Sequence, residues 1–229
     1  MKAVVCTYGS TYERLAQVLK KSIQRNSPGV RVAIHSMRPI RTAQVIPDHV
    51  RFNTAKLELW NRVVQAAEED IICMDADMLC LGNLAEAFEE EFDLAYTVRP
   101  GLKHYQGGAV FIRPTDGGKA ALQEWTFIND NLLDDVDRLT ELIDQEGGAN
   151  QAALSLLVKE GLNGAVLREL PCEVWNCCAQ TWGTFGPETR VLHMTGRLRR
   201  AVMEGRMPDP GGPYADLAPM VKAWLEYAR

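Results

Sequence analysis

The stretch "IICMDADMLCLGNL", residues 71–84, decides the fold because it places two carboxylates inside the most apolar run of the chain. Four apolar residues, 71–74, lead directly into Asp75 and Asp77, and apolar residues then resume. A short continuous apolar run is typical of a strand buried on both faces of a sheet. An unpartnered buried carboxylate is costly, so Asp75 and Asp77 must be solvated, hydrogen-bonded or bound to a cation.

The chain before this run alternates between strand and helix patterns. "KAVVCTY" (2–8) and "VRVAIHS" (30–36) predict strands, and "YERLAQVLKKSIQRN" (12–26) predicts a helix capped by Ser10 or Thr11. A second helix is predicted from Thr54, with apolar positions on one face: Leu57, Trp60, Val63, Val64 and Ala67. Alternation at this spacing indicates a parallel sheet covered by helices on both faces.

The rest of the chain continues the α/β pattern. Strands are predicted at "FDLAYTV" (92–98), "GGAVFIRP" (107–114), "AVLREL" (165–170) and "RVLHM" (190–194), and helices around 117–130, 132–145, 149–160 and 214–228. The proline-rich segment 208–213 is predicted to be a hinge, and the basic segment 196–206 before it is predicted to be mobile. The sequence therefore predicts one α/β domain over 1–229, with a Rossmann-like, mainly parallel sheet.

Composition narrows the function classes. The 229 residues are 46% hydrophobic and carry a net charge of −5, which disfavours a general nucleic-acid binder. No apolar run approaches the ~18 residues of a transmembrane helix, and a signal-peptide core is missing. A cytoplasmic protein is expected, with peripheral membrane association left open. The six cysteines lack CxxC pairs and are interpreted as small buried hydrophobes.

Asp75 and Asp77 stand where an α/β sheet binds its ligands, at the carboxyl end of a strand. Residues i and i+2 of an extended chain point to the same side, so the pair can share one Mn²⁺ or Mg²⁺ ion. Diphosphate oxygens and water suit the remaining positions of such an ion. The alternative is a turn in which the aspartates cap a helix near Leu84.

A later motif strengthens the metal hypothesis. "HMTGRLR", residues 193–199, follows a predicted strand. Together with "CMDADML", it resembles the nucleotide-diphospho-sugar transferases of the A-type glycosyltransferase fold, most closely glycosyltransferase family 8, the glycogenin and bacterial galactosyltransferase group. That family has Asp-x-Asp and then His-x-x-Gly-x-x-Lys. The resemblance spans roughly residues 3–200 and implies Asp75, Asp77 and His193 as metal ligands.

The same resemblance implies how the donor is held. Gly196 would let the backbone approach the diphosphate, and Ala76 is assigned to the donor-binding residues. Arg199 stands in the family's Lys position, with Arg197 as a substitute. Lys56 matches a basic residue that reaches the phosphates. The remaining donor contacts would be Thr7 and Tyr8 at the nucleotide base, and Gly107 and Gly108 beside the sugar.

Two positions depart from the family pattern. Gln106 stands where Asn is usual, and Asn150 replaces the Asp of an Asp-Gln pair, leaving Asn150 and Gln151 as the catalytic candidates. Neither amide is a good nucleophile. The resemblance implies retention of the anomeric configuration, so we expect the acceptor to attack from the face that the diphosphate leaves.

The resemblance thus implies metal-dependent transfer of a sugar from a nucleoside-diphosphate sugar, with UDP favoured. Residues 1–100 would bind the nucleotide and 101–229 the sugar and an unidentified glycan, lipid-linked or protein acceptor. Two alternatives stay open: a degenerate transferase that serves as a nucleotide- or glycan-binding scaffold, and a sugar nucleotidyltransferase. A dehalogenase-like phosphatase is disfavoured because Leu79 stands where that class needs Thr.

Overall fold

A six-stranded mixed sheet forms the centre of the computed structural model, which describes residues 1–40, 46–99 and 105–228. The strands are β1 (Lys2–Thr7), β2 (Arg31–Ser36), β3 (Ile71–Asp75), β4 (Met78–Cys80), β5 (Leu94–Val98), β6 (Tyr105–Ile112), β7 (Leu167–Pro171) and β8 (Val191–His193). The sheet order is β2-β1-β3-β6-β5-β7. Only β6 runs against the other strands of this sheet. The prediction of a mixed, mainly parallel sheet is confirmed.

Helices cover both faces of the sheet, as predicted. They are α1 (Gly9–Asn26), α2 (Asp48–Gln65), α3 (Asp116–Asp134), α4 (Val136–Glu146), α5 (Ala149–Glu160), α6 (Cys172–Trp175), α7 (Gly196–Glu204) and α8 (Ala218–Ala228). Alternate strand residues face opposite sides: Val4 and Cys73 pack with Trp60 of α2, whereas Val5 and Ile72 pack in a second cluster with α1. This alternation explains the continuous apolar runs of β1 and β3.

A separate two-stranded ribbon positions the later motif. Strands β4 and β8 pair antiparallel, so that Met78 lies opposite His193 and Leu79 opposite Leu192. The backbone N–H of Met194 also donates to the carbonyl of Asp77, at 2.8 Å. The ribbon therefore brings His193 next to the Asp-x-Asp segment.

The structure corrects three local predictions. Helix α1 begins at Gly9, after Tyr8, and no side chain caps it, so Ser10 and Thr11 lie within its first turn. Helix α2 begins at Asp48 rather than at Thr54. Residues 196–204 form α7, whose Leu198, Ala201 and Val202 are buried, so this basic segment is an ordered amphipathic helix. Parts of the predicted irregular region between Pro39 and Pro47 lie outside the described residues.

All six cysteines are free and buried, which confirms their interpretation as small hydrophobes. Within the described ranges, no helix combines the length and apolarity needed to cross a membrane.

Candidate active site

A cavity of about 440 Å³ opens at the carboxyl edge of the sheet, where the sequence predicts the ligand site. Residues from distant parts of the chain line it: Cys6, Tyr8, Tyr12, Asp48, His49, Phe52, Asn53, Lys56, Asp75, Ala76, Asp77, Arg99, Gln106, Gly107, Gly108, Asn150, Gln151, His193, Thr195 and Arg199. Strand β6 contributes its N-terminal residues because it runs against the other strands of the sheet. The antiparallel strand therefore brings Gln106, Gly107 and Gly108 to the same edge as Asp75.

Asp75, Asp77 and His193 form a compact group of potential metal ligands. Asp75 ends β3, and Asp77 lies between β3 and β4. One oxygen of each carboxylate and one ring nitrogen of His193 all lie within 4.8 Å of one another. The Nε2 atom of His193 is 3.4 Å from Oδ1 of Asp77 and 4.0 Å from Oδ2 of Asp75. The turn alternative fails, because Asn83 caps the 3-10 helix Leu84–Phe88 by accepting from the N–H of Ala85.

Two cations hold the other oxygens of these carboxylates. Lys56 donates to Oδ1 of Asp75 at 2.5 Å, and Arg199 donates to Oδ2 of Asp77 at 2.9 Å. Each cation occupies one oxygen and leaves the second facing His193. The free oxygens and Nε2 thus converge on one point. Two carboxylates and an imidazole at this separation fit a divalent ion such as Mn²⁺.

The pKa directions follow from this crowding. Burial acts to raise the pKa of Asp77, but the neighbouring His193 and Arg199 outweigh it and hold that pKa below its ordinary value. For His193, burial acts to lower the pKa, and Asp77 and Asp75 outweigh burial and raise it. Both shifts show that the cluster favours positive charge at its centre.

Asn176 and Thr97 orient the imidazole from behind. The side-chain oxygen of Asn176 lies 2.8 Å from Nδ1 of His193, and its amide donates to the hydroxyl of Thr97 at 2.9 Å. All three side chains are buried. With the Asn176 oxygen as acceptor, Nδ1 carries a proton, so that loss of the Nε2 proton would leave a neutral imidazole able to bind a metal ion through Nε2.

The glycines of β6 make room for protein side chains. A Cβ on Gly108 would lie 2.7 Å from Met78 and 2.8 Å from His193, and one on Gly107 would lie 3.0 Å from Asn150. The sequence analysis predicted that Gly107 and Gly108 lie beside the sugar ring of the donor. Both glycines line the cavity, but the volume a side chain would fill there is already occupied.

Asn150 and Gln151 lie at the first turn of α5 and reach the cavity beside β6. Gln151 donates to the carbonyl of Tyr105 at 2.8 Å, and the carbonyl of Asn150 accepts from the indole of Trp125 at 2.8 Å. Gln106 also donates to the carbonyl of Tyr105, at 3.2 Å. These contacts fix the side of the cavity that is formed by Gln106, Asn150 and Gln151, here called the amide wall.

The two residues predicted to contact the nucleotide base, Thr7 and Tyr8, differ in their position relative to the cavity. Thr7 is fully buried, donates to the carbonyl of His35 at 3.4 Å, and is not among the side chains that line the cavity. Tyr8 is 44% exposed and packs against Phe52, with ring centroids 5.0 Å apart.

Gly196 begins α7 with φ +49°, a left-handed conformation that favours glycine.

Several residues of the site were not predicted from the sequence. Tyr12 accepts a hydrogen bond from Arg199 at 2.8 Å, and Asn176 supports His193. Asp48, His49, Phe52 and Asn53 enter the cavity because α2 starts early. Pro47 followed by an aspartate is a helix-start signal that could have revealed this helix end.

No family model matches the sequence, and no curated protein matches it. Solved structures do. The glycosyltransferase GlyE of Streptococcus pneumoniae TIGR4 superposes with a TM-score of 0.62 at 15% identity over 99% of this chain. The galactosyltransferase LgtC, solved with donor and acceptor sugar analogs, has a TM-score of 0.60 at 13% identity over 100% of this chain and 95% of its own.

A third similar structure is a glycosyltransferase involved in glycosylation of the major capsid of PBCV-1, with a TM-score of 0.59 at 13% identity over 89% of this chain and 98% of its own. This chain spans 60% of the length of GlyE. The likenesses show that the chain has the A-type nucleotide-sugar glycosyltransferase fold.

Proposed function

We propose that this protein is a metal-dependent glycosyltransferase that moves a sugar from a nucleoside-diphosphate sugar, UDP being the favoured nucleotide, to a glycan, lipid-linked or protein acceptor. One observation carries the proposal. Asp75, Asp77, His193 and Arg199 come from two segments of the chain and converge in one cavity. Such a constellation suits a diphosphate held through a cation.

The donor set fits Mn²⁺ or Mg²⁺. Asp75, Asp77 and His193 would hold the ion, because each presents one ligand atom to the same point. When bound, the ion would supply Lewis-acid neutralisation of the charge on the departing diphosphate. Lys56 and Asn176 keep the ligands in place from outside the cluster.

Arg199 is the residue we assign to the phosphates. Its side chain is 36% exposed and lines the cavity, while one guanidinium nitrogen is held by Asp77 and Tyr12. The remaining N–H groups present a fork that matches phosphate oxygens. Rate enhancement requires that these donors hold the diphosphate more strongly as its charge grows in the transition state.

Retention is expected to proceed by attack on the face from which the diphosphate leaves. Asn150 lies next to Gly107 in the cavity, and Gln106 and Gln151 are further amides of the described lining. The acceptor oxygen forms the new bond to the anomeric carbon as the bond to the phosphate oxygen breaks. The hydroxyl proton passes to a phosphate oxygen of the leaving group. Mass-spectrometric detection of a glycosyl-enzyme on any Asp or Glu would contradict this route.

Thermal unfolding tests the donor site. The wild type would be heated with UDP, GDP, ADP or CDP, each with and without Mn²⁺, beside Asp77→Asn and the control Asp216→Asn. Asp216 pairs with Arg197 at the surface, outside the cavity. A ligand at 100 times its Kd adds about 2.7 kcal/mol, roughly 5–10 °C for this chain length. We expect that shift for UDP with Mn²⁺ in wild type and Asp216→Asn, and its loss in Asp77→Asn.

The amide wall also favours a second candidate, a nucleotide-binding scaffold without turnover. The two candidates differ in product release. A transferase releases UDP from its sugar nucleotide in a Mn²⁺-dependent manner when an acceptor is supplied, or slowly to water. A scaffold shows the same UDP-dependent thermal shift without UDP release from any sugar nucleotide.

A further inference from the structure

Arg99 is a cavity-lining cation that has no ion-pair partner among the described residues. The other two basic side chains of the described lining are committed: Lys56 to Asp75 at 2.5 Å and Arg199 to Asp77 at 2.9 Å. The Nε atom of Arg99 is buried and has no hydrogen-bond partner. With no acceptor for Nε, the guanidinium is not fully engaged by the protein.

Strand pairing places Arg99 close to an amide-rich part of the cavity lining. Arg99 follows β5, in which Thr97 pairs with Gln106 and Val98 with Tyr105. Gln151 donates to the carbonyl of Tyr105, so α5 closes the same wall. Arg99 therefore stands with the amides Gln106, Asn150 and Gln151 in the cavity lining.

The acidic side chains of the described lining are engaged elsewhere. Asp75 and Asp77 belong to the metal-ligand cluster, and Asp48 pairs with Arg51 at 3.2 Å. The wall formed by Arg99 and the amides thus carries a positive charge that no described carboxylate balances.

We propose that Arg99 binds a carboxylate on a sugar substrate, so that the enzyme prefers a uronic acid to a neutral hexose. The inference rests on the proposed function and names its substrate class. A guanidinium pairs with a carboxylate through two parallel N–H···O bonds, and the adjacent amides can donate to the same group. A neutral sugar offers hydroxyl oxygens but no negative charge to pair with the guanidinium, and this difference provides the discrimination.

Calorimetric titration tests the donor as the source of the carboxylate. Wild type, Arg99→Gln and Arg99→Lys would each be titrated with UDP, UDP-glucose and UDP-glucuronate in the presence of Mn²⁺. Arg168→Gln serves as the matched control, because Arg168 pairs with Glu90 outside the cavity. We expect UDP-glucuronate to bind wild type and Arg168→Gln at least tenfold more tightly than UDP-glucose. Arg99→Gln should lose this preference and bind UDP unchanged, and Arg99→Lys should retain part of it.

A second arm tests the acceptor as the source. The UDP-bound protein would be titrated with methyl glucuronide and methyl glucoside. A tenfold preference for the acid in either arm, lost in Arg99→Gln, supports the inference and identifies the source. Equal binding of acidic and neutral sugars in both arms, with UDP bound, overturns the inference and leaves the proposed function intact. Failure of UDP to bind wild type overturns both.

Discussion

Replacing Gly108 with alanine tests how closely the metal-ligand cluster is packed. The added Cβ would lie 2.7 Å from Cε of Met78 and 2.8 Å from Cε1 of His193. The imidazole must retreat by about 0.6 Å, the difference between 2.8 Å and the 3.4 Å at which ordinary contact begins. It has little freedom to do so, because it is buried and Asn176 holds its Nδ1 at 2.8 Å. Overpacking of this kind costs about 1–3 kcal/mol.

Gly108→Ala should therefore lower the melting temperature by about 2–4 °C for each kcal/mol. Displacement of His193 should also weaken Mn²⁺ binding about 10–100-fold. Circular dichroism melts of the metal-free protein and calorimetric Mn²⁺ titrations with UDP present measure the two effects. Gly29→Ala is the control, because Gly29 lies in the turn after α1 with open space around its Cβ position. A Gly108→Ala variant with wild-type stability and Mn²⁺ affinity would refute the packing argument.

Three further predictions follow from individual contacts. Asn176→Ala removes the acceptor of His193 Nδ1 and should weaken Mn²⁺ binding about 10–100-fold by calorimetry; an unchanged affinity would exclude a positioning role. Lys56→Met removes the cation that holds Oδ1 of Asp75 and should destabilise the metal-free protein by about 3 kcal/mol in urea titrations. Saturating Mn²⁺ should restore part of that loss, and equal destabilisation with and without Mn²⁺ would count against metal binding at Asp75. Cys6 should resist iodoacetamide at pH 8, because burial raises its pKa from 9.0 to about 12. Since the folded-state pKa is the higher one, the contribution of this thiol to stability is lost as the pH rises from 9.0 towards 12. Mass spectrometry that finds Cys6 alkylated in the folded protein would contradict this.

Local pattern was sufficient for the main elements of the fold. The apolar runs that became β1 and β3 and the helical periodicity at Leu57, Trp60 and Val64 reflect burial, which sequence periodicity reports directly. The pattern did not reveal that β6 runs antiparallel, because strand direction depends on pairing with β3 and β5 rather than on side-chain alternation. Helix ends were also misplaced, since α1 begins without the side-chain cap on which the prediction relied.

Some residues of the candidate site could likewise be predicted from the sequence, and others could not. Asp75 and Asp77 were predictable as a pair from their i, i+2 spacing at a strand end, and His193 was added to them through the resemblance of its motif to that of glycosyltransferase family 8. Asn176 and Arg99 were not predictable, because each reaches the site only through the packing of strands and loops far apart in the sequence. The spatial neighbours of Gly108 likewise depend on how β4 and β8 pair.

The location of the metal is the most direct test of the central claim. Crystals grown with Mn²⁺ and UDP would be measured at the manganese absorption edge. We predict one anomalous peak bounded by Asp75, Asp77 and His193, with the UDP phosphates against it and against Arg199. UDP bound in the cavity without such a peak, or a manganese peak elsewhere, would contradict the assignment of this cluster as the metal site.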